Sequence, residues 1–224
     1  MEKSSVWTRA FRDTLPVLAG YVVLGAGFGL MMRAEGYGLL WALAMSVFVF
    51  AGAMQYLAVG LLTGGASLLT AAIITLLVNA RHILYGLSLL GRYRDVLGKP
   101  YLIFGLTDET YSLVCRHKDE SDEYCFCVTL LDHGYWVAGT LLGSLAGELL
   151  SFNTEGIDFA LTALFLTVAL EQWLSGDHHL SALIGIGASV SALVMFGAES
   201  FLLPAMGLIL LLLIGFGKGA AGRE

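Results

Sequence analysis

The chain has 224 residues, 57% of them hydrophobic and 13% charged, with a mean hydropathy of +0.78. Soluble domains are about 45–50% apolar and about 25% charged, so this composition excludes a disordered chain and argues against a soluble globule. The net charge of −6 comes with no basic patch interleaved with aromatics, so nothing points to nucleic acid. The sequence reads as an all-α polytopic integral membrane protein with no soluble domain, one transmembrane unit over 1–224.

Residues 1–13 carry Lys3, Arg9 and Arg12 ahead of an apolar run over 14–32. That run is longer than a signal-peptide core, and no convincing A-x-A cleavage site follows, so it is expected to be a retained first span with 1–13 in the cytoplasm. Further apolar segments fall at 39–62, 66–90, 101–115, 124–149, 157–174, 180–199 and 201–217, giving seven to eight helical segments, some of them broken or re-entrant. Segment 101–115 covers only about 22 Å at 1.5 Å per residue, short of about 30 Å of hydrocarbon. It is either a tilted span or a re-entrant piece lining a cavity.

The distribution of Lys and Arg leaves two topologies open. If every segment crosses, Arg92, Arg94 and Lys99 fall outside together with Arg33. If 39–62 and 101–115 each enter and leave on one side, Lys3, Arg9, Arg12, Arg92, Arg94, Lys99, Arg116, Lys118, Lys218 and Arg223 all lie inside, leaving Arg33 outside. Gly52 stands where the break in 39–62 would be needed. Residues 116–123 form a polar loop between two halves of the chain.

Small residues recur four apart at Gly25 and Gly29 and again at Gly139, Gly143 and Gly147. Such stripes let backbones approach in lipid, either within this chain or against a second membrane subunit. Cys115, Cys125 and Cys127 form neither a disulfide framework nor a zinc set and read as apolar filler.

The informative residues are polar groups inside apolar runs. Asn79, Arg81 and His82 sit in the middle of 66–90. Arginine at a helix centre costs about 2.5–3.5 kcal/mol, and the aliphatic residues of this segment return roughly 3–6 kcal/mol in all. The helix therefore needs partners, with Arg81 facing protein or a wet cavity. At helical spacing Asn79 and His82 share a face, as do Arg81 and Tyr85. The natural counter-charge is Thr107-Asp108-Glu109 in the short segment, through Asp108 or Glu109. Gln55, just after Gly52, can donate to a carboxylate or accept from an ammonium. Asp132 and His133 are weaker candidates as cavity liners. Glu171, Gln172 and Trp173 suit a headgroup-level belt, and Asp177, His178 and His179 a solvated loop.

The stretches F-A-G-A-M-Q-Y-L-A-V-G-L-L (50–62), L-L-V-N-A-R-H-I-L-Y-G-L-S (76–88) and L-T-D-E-T-Y (106–111) resemble the hallmark segments of AzlC-type branched-chain amino acid permeases. D-F-A-L-T-A-L-F (158–165) and E-Q-W-L (171–174) extend the resemblance into the second half, so it covers nearly the whole chain. It implies the large subunit of a two-component exporter of leucine, isoleucine, valine and sometimes methionine, partnered by a small AzlD-type membrane subunit in a bacterial or archaeal plasma membrane. The expected site for substrate or proton coupling is Gln55, Asn79, Arg81, His82, Thr107, Asp108 and Glu109, with no metal or cofactor. Neither H-E-x-x-H nor G-x-S-x-G occurs, so these two hydrolase motifs give an enzyme reading no support. A transporter or channel for another small zwitterion and a non-transporting scaffold subunit are the rival readings.

Overall fold

A computed structural model describes residues 3–94, 96, 98–117, 120–149, 179–197, 204–209 and 211–213, together with the single positions 166, 170, 173, 174 and 201. Among the described residues every regular element is a helix. The chain divides into two compact units, Met1–Leu161 and Thr162–Glu224.

The first unit is built on two long helices, α1 (Lys3–Ala34) and α8 (Asp122–Leu149), of 32 and 28 residues. At 1.5 Å per residue they run about 48 and about 42 Å, enough to cross about 30 Å of hydrocarbon. They lie side by side and parallel. Val6 and Ala10 pack on Tyr124, Cys127 and Val128 at one end. Thr14 reaches Tyr135 at 3.1 Å, and Arg33 meets Glu148 at 3.3 Å at the other end.

The glycine stripes are the seam between these helices. A methyl group on Gly25 would sit 2.7 Å from the Trp136 carbonyl oxygen, and one on Gly139 2.7 Å from that of Val22. Methyl groups on Gly29 and Gly143 would overlap the carbonyls of Thr140 and Ala26. Of the two uses of a small-residue stripe, packing within the chain is the one these glycines serve. Lipid offers no hydrophobic drive to pair apolar helices, so close backbone contact has to supply the attraction.

The segments between α1 and α8 are broken. Segment 39–62 divides into α2 (Leu39–Phe48) and α3 (Gly52–Thr63). The break falls at the expected place, with Phe50 at φ +32, a conformation disfavoured for a bulky residue. Its ring is held against His133 at 4.4 Å and near Tyr21 at 6.3 Å between centroids. α2 starts beyond the C-terminal end of α1 and descends until the Ser46 carbonyl meets His133. α3 climbs back, from Gly52 under the Trp136 ring to Tyr56, whose hydroxyl donates to the Leu24 carbonyl at 2.6 Å. The pair is a helical hairpin that enters and leaves at one end.

Segment 66–90 is α4 (Leu68–Val78) and α5 (Ala80–Ser88), bent by 43° at Asn79. Segment 101–115 lies within a second hairpin, α6 (Lys99–Phe104) and α7 (Asp108–Arg116). These helices are about 9 and about 14 Å long and cannot cross a bilayer singly. Gly98 lies beside Phe126, Gly105 against Thr129, and Thr110 bonds Asp132, so α6 climbs along α8 from the end where α1 starts. Then α7 returns, placing Val114 in a cluster with Leu89, Tyr93, Leu102 and Cys125.

Polar contacts pin the near end. Arg92 donates to the carbonyls of Val114, His117 and Glu120 at 3.0–3.1 Å. Glu120 in turn pairs with Arg9 at 2.6 Å. Arg92 therefore lies at the same end as the start of α1, as the topology with two re-entrant segments requires. Within the polar segment 116–123, His117 and Glu120 are docked by these contacts. The outer faces are apolar: Leu40, Trp41, Phe48, Leu68, Leu69 and Leu76 are exposed, as suits a hydrocarbon solvent.

The second unit contains α9 (Leu180–Phe196) and a short apolar helix over Pro204–Leu213. An apolar groove between them is lined by Ala192, Met195, Phe196, Pro204, Leu208 and Leu211. Trp173 stacks on His179 at 4.3 Å. Glu171, Gln172, Asp177, His178 and most of 157–174 lie outside the described residues.

Candidate functional site

Three helix breaks bear on the site midway along α1 and α8. Two turns lie against Tyr21 of α1 and the 129–136 stretch of α8, and a bend lies two residues before Arg81, which meets the start of α7. They are the α2–α3 turn at Phe50, the α4–α5 bend at Asn79 and the α6–α7 turn at Gly105–Thr107. A broken helix frees backbone groups and shows helix ends to the interior, which lipid tolerates only where protein or water covers them.

Arg81, in the first turn of α5, pairs with Asp108, the first residue of α7, at 2.8 Å. Tyr85, one turn further along α5, donates to the other Asp108 oxygen at 2.7 Å. The shared face of Arg81 and Tyr85 thus grips one carboxylate. Tyr85 also stacks on Tyr111 at 4.3 Å. The paired side chains remain 38% and 36% exposed, so both charges can be reached from outside the protein core. Thr107 caps α7, accepting from the Thr110 amide. The carboxylates in that first turn sit where the helix dipole favours negative charge.

Glu109 lies apart from Arg81. Its carboxylate takes a 2.6 Å contact from the Tyr21 hydroxyl, which also lies 2.6 Å from Thr107 Oγ1. Thr107 and Thr110 hydroxyls are 3.0 Å apart, and Thr110 donates to Asp132 at 2.7 Å. Asp132 is fully buried, and its second oxygen has no partner among the described residues.

The other expected residues are placed differently. Asn79 ends α4 and begins α5, using its backbone amide to close the Thr75 turn. His82 stands half-buried near Tyr85, 6.0 Å between ring centroids. Gln55 is fully buried and donates to Ser46 at 3.2 Å, not to the Arg81–Asp108 pair. Ser46 also contacts Thr140 at 2.7 Å, tying α2 and α3 to α8. His133 lies 3.2 Å from the Ser46 carbonyl through Nε2 and 3.1 Å from the Tyr101 hydroxyl through Nδ1. The carbonyl can only accept, so Nε2 carries a proton and the tyrosine can donate to Nδ1 of a neutral ring.

Sequence reasoning missed Tyr21 and Thr110. A tyrosine in an apolar helix looks like packing, and only the fold brings it to Thr107 and Glu109. Asp132 carried the signal of an intramembrane acid but showed no partner.

A polar site held by discontinuous helices inside an apolar helical frame defines an integral membrane protein. The AzlC protein family matches residues 16–150. The chain is similar to the branched-chain amino acid transport protein AzlC of Bacillus subtilis, 42% identical over 92% of this chain and 84% of that protein. It is 41% identical to an uncharacterized membrane protein of Helicobacter pylori strain J99, over 93% of this chain and 94% of that one. It is 28% identical to the inner membrane protein YgaZ of Escherichia coli, over 90% of this chain and 84% of that protein. No solved structure matches. The chain belongs to the AzlC family.

Proposed function

We propose that this chain exports branched-chain amino acids, leucine, isoleucine, valine and methionine in some members, using a proton gradient and a small AzlD-type membrane subunit. In this reading it lies in the plasma membrane of a bacterium or archaeon, with the N-terminus of α1 in the cytoplasm.

The observation that carries the reading is the half-exposed Arg81–Asp108 pair at the meeting of helix breaks. A zwitterionic substrate presents a carboxylate and an ammonium close together. Arg81 answers the first, and Asp108 or Glu109 the second. Tyr85 and Tyr111 offer a planar apolar wall nearby. The substrate's own charges replace the internal pair, so opening the Arg81–Asp108 contact leaves no unpaired charge in a poorly solvated site. Asp108 and Glu109 are the carboxylates placed to exchange protons there. The similarity to a protein named for branched-chain amino acid transport supports the substrate class. In a scaffold reading the same pair only holds α5 on α7.

The test is efflux of labelled leucine, valine and methionine from preloaded cells. Three preparations are compared: the chain alone, the chain with an AzlD-type subunit, and the paired chain with Asp108→Asn. Efflux that needs the subunit and is lost in the variant supports the reading. Undiminished efflux in the variant removes Asp108 from the site. No efflux in any preparation refutes export of these amino acids.

A further inference from the structure

We infer that Glu109, Tyr21, Thr107, Thr110 and Asp132 form a proton relay in which one proton is shared between an exposed carboxyl and a buried one. The relay rests on the transport reading for its use and on geometry for its existence.

Three hydroxyls join the two carboxyls through successive contacts of 2.6, 2.6, 3.0 and 2.7 Å. Glu109 is exposed and Asp132 fully buried, so the chain leads from an open site into the packed interior. None of the described ion pairs includes Asp132. An unpaired buried carboxylate costs several kcal/mol, and the free second oxygen of Asp132 adds to that cost.

Counting protons explains the arrangement. With both carboxyls ionised, three hydroxyl protons serve four contacts, and one contact opposes lone pairs at hydrogen-bond distance. One added proton fills every contact in either of two ways. With the proton on Glu109, each group donates toward Asp132. With the proton on Asp132, each donates toward Glu109. Passing between them, Glu109 gives its proton to Tyr21 Oη, whose own proton moves to Thr107 Oγ1. The Thr107 proton moves to Thr110 Oγ1, and that of Thr110 to Asp132 Oδ2. Four O–H bonds break, four form, and one proton is moved. The Thr110 amide bonds Thr107 Oγ1 at 3.3 Å in both states and holds the middle of the chain still. Other ionisable groups at the site are Asp108 with Arg81 and Tyr85 from α5, and His133 beside Asp132. His133 is tied to Tyr101 and Ser46.

The test is infrared spectroscopy of the full chain in lipid nanodiscs on transfer to deuterium oxide, which needs no substrate. A protonated-carboxyl band that vanishes in Asp132→Asn identifies the buried acid. Tyr21→Phe keeps the ring on Trp136 and removes the hydroxyl, and is expected to slow deuteration of that band by roughly 10²–10⁴-fold. Thr110→Val should slow it similarly, and Thr110→Ser should keep the wild-type rate. These threonine variants decide the matter if Tyr21→Phe does not fold. Equal rates in wild type and Thr110→Val or Tyr21→Phe overturn the relay, as does the absence of any band assignable to Asp132. Either result leaves the efflux experiment to judge the transport reading by itself. Failure of efflux likewise leaves the infrared result intact.

Discussion

Gly143→Ala tests whether close backbone approach is what holds α1 to α8. A methyl group there would overlap the Ala26 carbonyl, so the helices must separate or tilt. In water an alanine would gain about 0.5–1 kcal/mol of helix propensity over glycine. Overpacking a tight contact costs about 1–3 kcal/mol, and here the obstacle is backbone, which cannot rotate away. The net expectation is a loss of up to about 2.5 kcal/mol once the propensity gain is deducted, and a deficit of about 1–3 kcal/mol against a glycine-to-alanine change that gains the propensity without the clash. Gly134→Ala is the control on the same helix, since nothing lies within 4 Å of its added methyl group. It should be neutral or more stable by up to about 1 kcal/mol. Both are measured by unfolding in mixed micelles with rising SDS. Equal stability of Gly143→Ala and Gly134→Ala would refute the reasoning. A separated seam also moves Tyr21 off its 2.6 Å contacts, so Gly143→Ala should slow the relay as well.

The Arg81→Asp, Asp108→Arg double variant should restore the folding lost by either single change while leaving efflux absent. Recovery of efflux would make the pair a mere helix clasp. Arg92→Ala removes three bonds to carbonyls at the end of α7 and the following loop. It should cost about 2–3 kcal/mol, and limited proteolysis within 117–121 should quicken. An unchanged cleavage rate would deny Arg92 that role. With Cys115, Cys125 and Cys127 changed to alanine, cysteines at Arg94 and Ser121 should react with an impermeant maleimide from one side of the membrane and a cysteine at Gly65 from the other. Reaction of Arg94→Cys from the Gly65 side would refute the re-entrant arrangement.

Much of this was legible in the residues. Arg81 and the Asp108–Glu109 pair stood out because charge inside apolar runs needs a partner. The bend in 66–90 was not legible, because Asn79 is compatible with a helix and only its φ −94, ψ 5 backbone shows the break. Nor could spacing choose between Asp108 and Glu109. As neighbours at the start of α7 they point in different directions, one to α5 and the other to α1.

Composition and hydropathy alone determine that this chain is helical and dwells in a bilayer, because hydrocarbon accepts only helices or closed barrels, and continuous apolar runs near 20 residues fit helices rather than barrel strands of about 10. They also mark which side chains are too polar to face lipid. Only tertiary structure decides that the glycine stripes face each other and that Arg92 lies beside Arg9's partner Glu120. It alone brings Tyr21 between two carboxyls remote from it in sequence. Those outcomes depend on which helix faces meet and how deep each hairpin reaches, and hydropathy carries neither direction nor depth.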